Sequence, residues 1–181
     1  MNGGMELYLH MPFCVRKCAY CDFLSFPTDQ ETQNLYTRRL REDIDAMGKK
    51  YGDIPVDTIF IGGGTPSVPD SALIVGIMEH VRKAFHVAEG AEISMEANPG
   101  TVTREKLTDY RRAGINRLSF GLQSANDREL KLLGRIHTWA EFLESFHLAR
   151  ECGFTNINID LMSALPGPVS YTHLTLPTNS L

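Results

Sequence analysis

Residues 8–26 read Tyr-Leu-His-Met-Pro-Phe-Cys-Val-Arg-Lys-Cys-Ala-Tyr-Cys-Asp-Phe-Leu-Ser-Phe and hold three of the four cysteines of the chain. Residues 6–11 have the pattern of a short β-strand, so the cysteines leave from a strand's carboxyl end. Cys14, Cys18 and Cys21 are spaced C-x3-C-x2-C, which lets one short loop wrap three thiolates around a single inorganic centre. An iron–sulfur cube held at every corner draws four cysteines. Three local thiolates leave one iron open to a small molecule carrying an amine and a carboxylate. Two other readings compete for the same stretch: a closed structural zinc site with His10 as fourth ligand, and unliganded buried thiols. A disulfide fits poorly. The opening Met-Asn-Gly-Gly-Met-Glu has neither the basic nor the apolar region of an export signal, so the expected compartment is the cytoplasm, where thiols stay reduced.

Working outward, 181 residues with 43% hydrophobic and 22% charged content describe an ordinary globular chain, one domain by default. A formal net charge of −4 offers no basic stripe for phosphates, which argues against nucleic acid as a partner. No apolar run reaches bilayer length.

Hydrophobic periodicity predicts helices over 31–47, 71–85, 127–133 and 138–152, with another that Thr103 begins and Gly114 stops. Further strands are predicted over 56–61, 91–96, 116–120 and 156–161. Strand and helix alternate without a hairpin signal, the mark of a parallel β/α architecture. At the strand ends stand Gly62-Gly63-Gly64-Thr65-Pro66, Glu96-Ala97-Asn98-Pro99-Gly100, Gly121-Leu122-Gln123-Ser124 and Asp160. Each alone has a bland reading: a tight βα turn for the glycines, a solvated loop charge for Glu96. Recurrence on one rim of a parallel sheet, where sites gather, favours a shared site and lifts the cluster above zinc. Cys152 is expected to be a buried helix thiol, and His137 and His147 packing or helix-surface residues.

Together the motifs resemble the radical S-adenosylmethionine superfamily over about residues 5–168, whose fold is a parallel β/α partial, open TIM-type barrel. Tyr-x-His-x-Pro-Phe-Cys, Gly-Gly-Gly-Thr-Pro, Glu-Ala-Asn-Pro-Gly, Gly-Leu-Gln-Ser and Asn-Ile-Asp-Leu-Met are similar to the branch containing oxygen-independent coproporphyrinogen III oxidases and haem chaperones. The resemblance implies that Cys14, Cys18 and Cys21 ligate a [4Fe–4S] cluster. It implies that Tyr8, Gly63 and Glu96 contact the S-adenosylmethionine on its open iron. Tyr20, Gly64, Thr65, Gln123, Arg135 and Asp160 match residues that hold a second such molecule in the oxidase. It further implies haem and a haem-acceptor protein as partners, an electron donor such as flavodoxin or ferredoxin, and a homodimer as one assembly. Three departures favour the chaperone over the oxidase: Tyr20 stands where the oxidase has phenylalanine, Phe23 stands where it has a further cysteine, and Tyr8 lies almost at the start of the chain.

From Val169 onward neither periodicity continues, and 169–178 resembles a transposon-end adaptor read in frame. The expected division is therefore 1–168, the N-terminal part of the core domain, and 169–181, a non-native tail. The sixth strand and C-terminal domain implied by the resemblance are then missing, and 156–161 is left as an edge strand.

Overall fold

The computed structural model describes residues 4–163 and 165; the expected tail at 169–181 lies outside them. Five strands, β1 (Met5–Met11), β2 (Val56–Gly63), β3 (Val87–Ala97), β4 (Arg117–Gln123) and β5 (Asn156–Leu161), alternate with helices α1 (Gln30–Tyr51), α2 (Ser71–Ala84), α3 (Arg104–Arg112), α4 (Asp127–Leu132) and α5 (Trp139–Glu151). All strands are parallel and lie in chain order across one sheet. Because βαβ crossovers are right-handed almost without exception, an order with no reversal puts every crossover helix on the same face. That is the winding of a barrel left open, and it matches the expected partial TIM-type fold.

The register separates two faces. On one, Leu9, Met11, Ile59, Ile61, Ile93, Met95, Leu118 and Phe120 are buried and meet the apolar stripes of the helices. Ile74, Ile77, Met78 and Val81 of α2 are at most 1% exposed, the i, i+3, i+4, i+7 spacing of a core-facing helix. On the other face the aligned positions are polar or aromatic. Tyr8, Phe60, Ser94, Arg117 and Asn156 share one row, and Glu96, Ser119 and Asn158 another. β1 and β5 are the sheet edges among the described residues.

Side chains cap every helix start: Asp29, Asp70, Thr103, Asn126 and Thr138 each accept from a first-turn amide, with Thr138 and Glu141 closing a full capping box. Gly114, one residue past the α3 C-cap Ala113, has φ of +89°, so it terminates that helix as expected. Helix α1 runs past 47 to Tyr51 because Gly48 lets it approach α2: a Cβ there would lie 2.5 Å from the Ala84 Cβ.

One expectation is corrected. Cys152 is the C-cap of α5 and only partly buried, packed at the margin of the core with its Sγ 3.9 Å from the Arg104 carbonyl. His147 is exposed on α5. His137 is a packing residue, 4% exposed, and neither ring nitrogen makes a well-formed hydrogen bond among the described residues. Burial, and secondarily the Arg135 charge, lower its pKa from 6.5 to about 4. The folded state thus holds His137 neutral where the unfolded chain would protonate it, so stability falls as pH drops from about 6.5 towards about 4. The slope from this group approaches 1.4 kcal/mol per pH unit. Urea melts at pH 7 and pH 5 should show that loss in the wild type, and His137→Gln should reduce the difference.

Candidate functional site

The cysteine loop is stapled at its neck, its back and its side. At the neck, Phe13 and Phe26 form a bridge, with Cys14 N–H to Phe26 O at 3.2 Å and Phe26 N–H to Pro12 O at 2.9 Å. Phe13 is buried, edge-on to Tyr36, whose hydroxyl donates to His10 O at 2.8 Å. At the back, Ala19 N–H donates to Leu133 O at 3.0 Å, fastening the loop to the turn after α4. At the side, His10 Nε2 pairs with Leu24 O at 2.9 Å while its Nδ1 pairs with Tyr8 Oη at 3.1 Å. Both nitrogens of His10 are thereby engaged in holding the loop, which argues against it as a fourth zinc ligand. Cys14, Cys18 and Cys21 are free thiols and partly exposed. Among the described residues no three His, Cys, Asp or Glu side chains converge on a single ion. A cube presents its irons at separate corners, so its ligands need no such convergence.

The loop closes over a cleft at the carboxyl ends of β2, β3, β4 and β5. Its lining contains Cys14, Cys18, Cys21, Tyr20, Gly63, Gly64, Thr65, Glu96, Gln123, Arg135 and Asp160, eleven of the twelve residues expected there. Tyr8 is not among the lining residues; it is 59% exposed on β1 and stacks on Phe60. A larger open depression of about 570 Å³ lies at the opposite strand ends, around Arg82, His86, Gly90 and Asn116. It gathers no sulfur ligand, and its Arg82 is committed to Ala113 O at 2.7 Å, so the chemistry belongs to the cleft under the loop.

Within the cleft each group has a defined posture. The Gly63 N–H donates to Glu96 Oε2 at 2.9 Å, so Glu96 is not a solvated loop charge. Burial raises the pKa of its carboxyl, and Asp160 adds to the shift. Asp160 accepts from Ser119 Oγ at 3.2 Å and Asn158 Nδ2 at 2.8 Å. Two carboxylates near one cleft make a place for a cation. Gln123 is the only described non-glycine residue with positive φ, 72°, a conformation costing on the order of 1 kcal/mol, and Met162 N–H ties it down at 2.9 Å. Arg135 donates to Asn98 Oδ1 at 2.6 Å, to Gly121 O at 2.5 Å, and more distantly to Cys18 Sγ and Tyr20 Oη. Burial raises the Tyr20 pKa, with Arg135 opposing.

Phe23, noted in the sequence only as a departure from the oxidase, also lines the cleft, as do Arg16, Asn98, Ser119 and Gly121, to which sequence reasoning gave no role. Period-2 alternation was the available signal: Asn98 follows Glu96 by two, and Ser119 precedes Gly121 by two.

Comparison with known proteins agrees with this geometry. A model of the radical SAM superfamily matches residues 8–168. The chain belongs to the radical SAM superfamily. Among its relatives are the heme chaperone HemW of Escherichia coli, 44% identical over 90% of this chain and 43% of that protein, and a mitochondrial radical S-adenosyl methionine domain-containing protein 1 of Danio rerio, 34% identical over 90% of this chain and 36% of that one. The solved structure of coproporphyrinogen III oxidase (HemN) from Escherichia coli, described as a radical SAM enzyme, superposes with a TM-score of 0.84 at 33% identity, covering 90% of this chain and 38% of that one. The chain therefore spans less than half the length of these radical SAM relatives.

The glycine run predicts a measurable fragility. A Cβ on Gly64 would lie 2.6 Å from Phe13 O and 2.8 Å from Met11 O, backbone atoms that cannot move without lifting the loop. Gly64→Ala should destabilise the protein by about 1–3 kcal/mol and speed tryptic cleavage after Arg16 and Lys17; unchanged loop proteolysis would show the close approach to be dispensable.

Proposed function

We propose that this chain is the cluster-binding and S-adenosylmethionine-binding part of a haem chaperone. The observation that carries the reading is the three-cysteine loop fastened over a cleft bearing Glu96 and Asp160, in a radical SAM chain 44% identical to a heme chaperone. The residues fit the cluster: three unpaired thiols at the mouth, glycines that let backbone approach closely, and Thr65 and Arg135 positioned as donors to sulfur. When bound, the cluster would supply an electron to the sulfonium of an S-adenosylmethionine held by its amine and carboxylate. Cys14, Cys18 and Cys21 hold it. Gly63 offers the approach of backbone to the ligand, Glu96 accepts from the ammonium, and Tyr8 flanks the opening. Tyr20, Gly64, Thr65, Gln123, Arg135 and Asp160 contact a second S-adenosylmethionine in this reading. Partners are haem, a haem-acceptor protein and a flavodoxin- or ferredoxin-type donor, with a homodimer as the assembly. Thiols must stay reduced for this site to work, which supports a reducing compartment such as the cytoplasm. No described helix is long and apolar enough to cross a membrane.

The second reading is oxidative decarboxylation of coproporphyrinogen III, favoured by the superposition on the solved oxidase. Phe23 sets the two apart, since the oxidase pattern has a cysteine there. The full-length protein, reconstituted anaerobically, should bind haem and pass it to an acceptor without forming protoporphyrinogen from coproporphyrinogen III; product formation with S-adenosylmethionine and a reductant would overturn the chaperone reading.

Glu96 gives a residue-level test. Glu96→Ala should weaken S-adenosylmethionine binding by about 1.5–3 kcal/mol, the worth of a charge-assisted hydrogen bond, while iron content stays unchanged. Because burial raises the carboxyl pKa, wild-type affinity should fall in mildly acidic buffer as Glu96 gains its proton, and Glu96→Gln should flatten that profile. Calorimetric titration of reconstituted protein reads both; affinity equal to wild type in Glu96→Ala would remove the carboxylate from the site.

A further inference from the structure

Asn98 belongs to none of the roles above, yet it sits between two of the cysteines. Its Oδ1 accepts from Arg135 Nη2 at 2.6 Å, and its Nδ2 donates to Thr65 Oγ1 at 2.9 Å. Thr65 Oγ1 lies 3.6 Å from Cys14 Sγ, and Arg135 Nη1 lies 3.6 Å from Cys18 Sγ. A continuous chain, Cys14–Thr65–Asn98–Arg135–Cys18, therefore runs beneath the loop.

Its direction follows from chemistry. A guanidinium only donates, so the amide oxygen must face Arg135 and the amide nitrogen must face Thr65. The Thr65 oxygen, already accepting, has its single proton free for Cys14. A thiolate only accepts, so both ends of the chain point donors at sulfur. The Asn98 amide is held in register by its own backbone: Asn98 N–H donates to Ser67 Oγ at 3.1 Å, and Thr101 Oγ1 donates to Asn98 O at 2.7 Å.

We propose that Asn98 is a positioning residue that orients Thr65 and Arg135 as hydrogen-bond donors to Cys14 and Cys18, and so raises the reduction potential of the centre these cysteines hold. The inference rests on the cluster reading of the three cysteines. Donors to ligand sulfur stabilise the extra electron of the reduced state, and hydrogen bonds to sulfur are among the determinants of cluster potential. Asn98→Asp is nearly isosteric but inverts the logic. A carboxylate accepts at both oxygens, so the Thr65 hydroxyl turns towards residue 98 and away from Cys14, and a negative charge is added.

The test is a redox titration followed by electron paramagnetic resonance on anaerobically reconstituted protein, without S-adenosylmethionine, with iron counted in each sample. Asn98→Asp and Thr65→Val should each lower the equilibrium constant for one-electron reduction by about tenfold or more, about 59 mV, while Thr65→Ser, which keeps the hydroxyl, should match wild type. Iron-loaded Asn98→Asp and Thr65→Val reducing at the wild-type potential would overturn the inference alone. Should Asn98→Asp fail to retain iron, the Thr65→Val and Thr65→Ser pair decides by the same criterion. Absence of iron from the wild type would overturn the cluster reading, and this inference with it.

Discussion

Two backbone hydrogen bonds, Gly64 N–H to Met11 O at 2.7 Å and Thr65 N–H to Phe13 O at 2.6 Å, carry the β1–β2 pairing past the strand ends and into the cysteine loop. They require that nothing stand between the two chains, and Gly64 meets the requirement by having no side chain. Through them the loop inherits the rigidity of the sheet. Its thiols are placed by the register of parallel strands, not by the local conformation of a surface segment. Phe13, buried against Tyr36, and the Ala19 to Leu133 bond hold the two remaining directions.

Electrostatics follows from the same placement. The helices cover the apolar face of the sheet, so polar strand residues fall on the other, and their carboxyl-terminal members reach the cleft. Glu96 is buried enough for its carboxyl to resist ionisation, yet the Gly63 amide holds it aimed and ready. Asp160 repeats the charge nearby. Arg135 is the cleft's counterweight, and its bonds to Asn98 and Gly121 keep it at the rim instead of neutralising the carboxylates. A cationic ligand such as a sulfonium with an α-ammonium group suits that division of charge.

Much of this was legible in the amino-acid sequence, for physical reasons. Strands buried on one face and helices with a core stripe have different periods, and 156–161 emerges as β5 with the bounds that periodicity predicts. Gly62 to Gly64, Glu96, Gln123 and Asp160 were recognisable because site residues in parallel α/β folds follow strands. Less legible was whatever depends on what a side chain meets across the sheet. The helix predicted over 31–47 continues to Tyr51, because Gly48 lets it lie close against Ala84. Glu96 alone reads as solvated; the Gly63 amide that holds it comes from a residue 33 positions away. The role of Asn98 exists only because β2, β3 and the turn after α4 converge on its amide. The left-handed backbone of Gln123 has no sequence signature, since glutamine gains nothing from that conformation.

The central claim is that Cys14, Cys18 and Cys21 hold an iron–sulfur cube with one open corner. Mössbauer spectroscopy of anaerobically reconstituted protein, with and without S-adenosylmethionine, tests it most directly. The expected result is about four irons per chain, one of which changes its signal when the ligand is added. A single tightly bound zinc without iron, or a cluster whose irons all ignore the ligand, would contradict it.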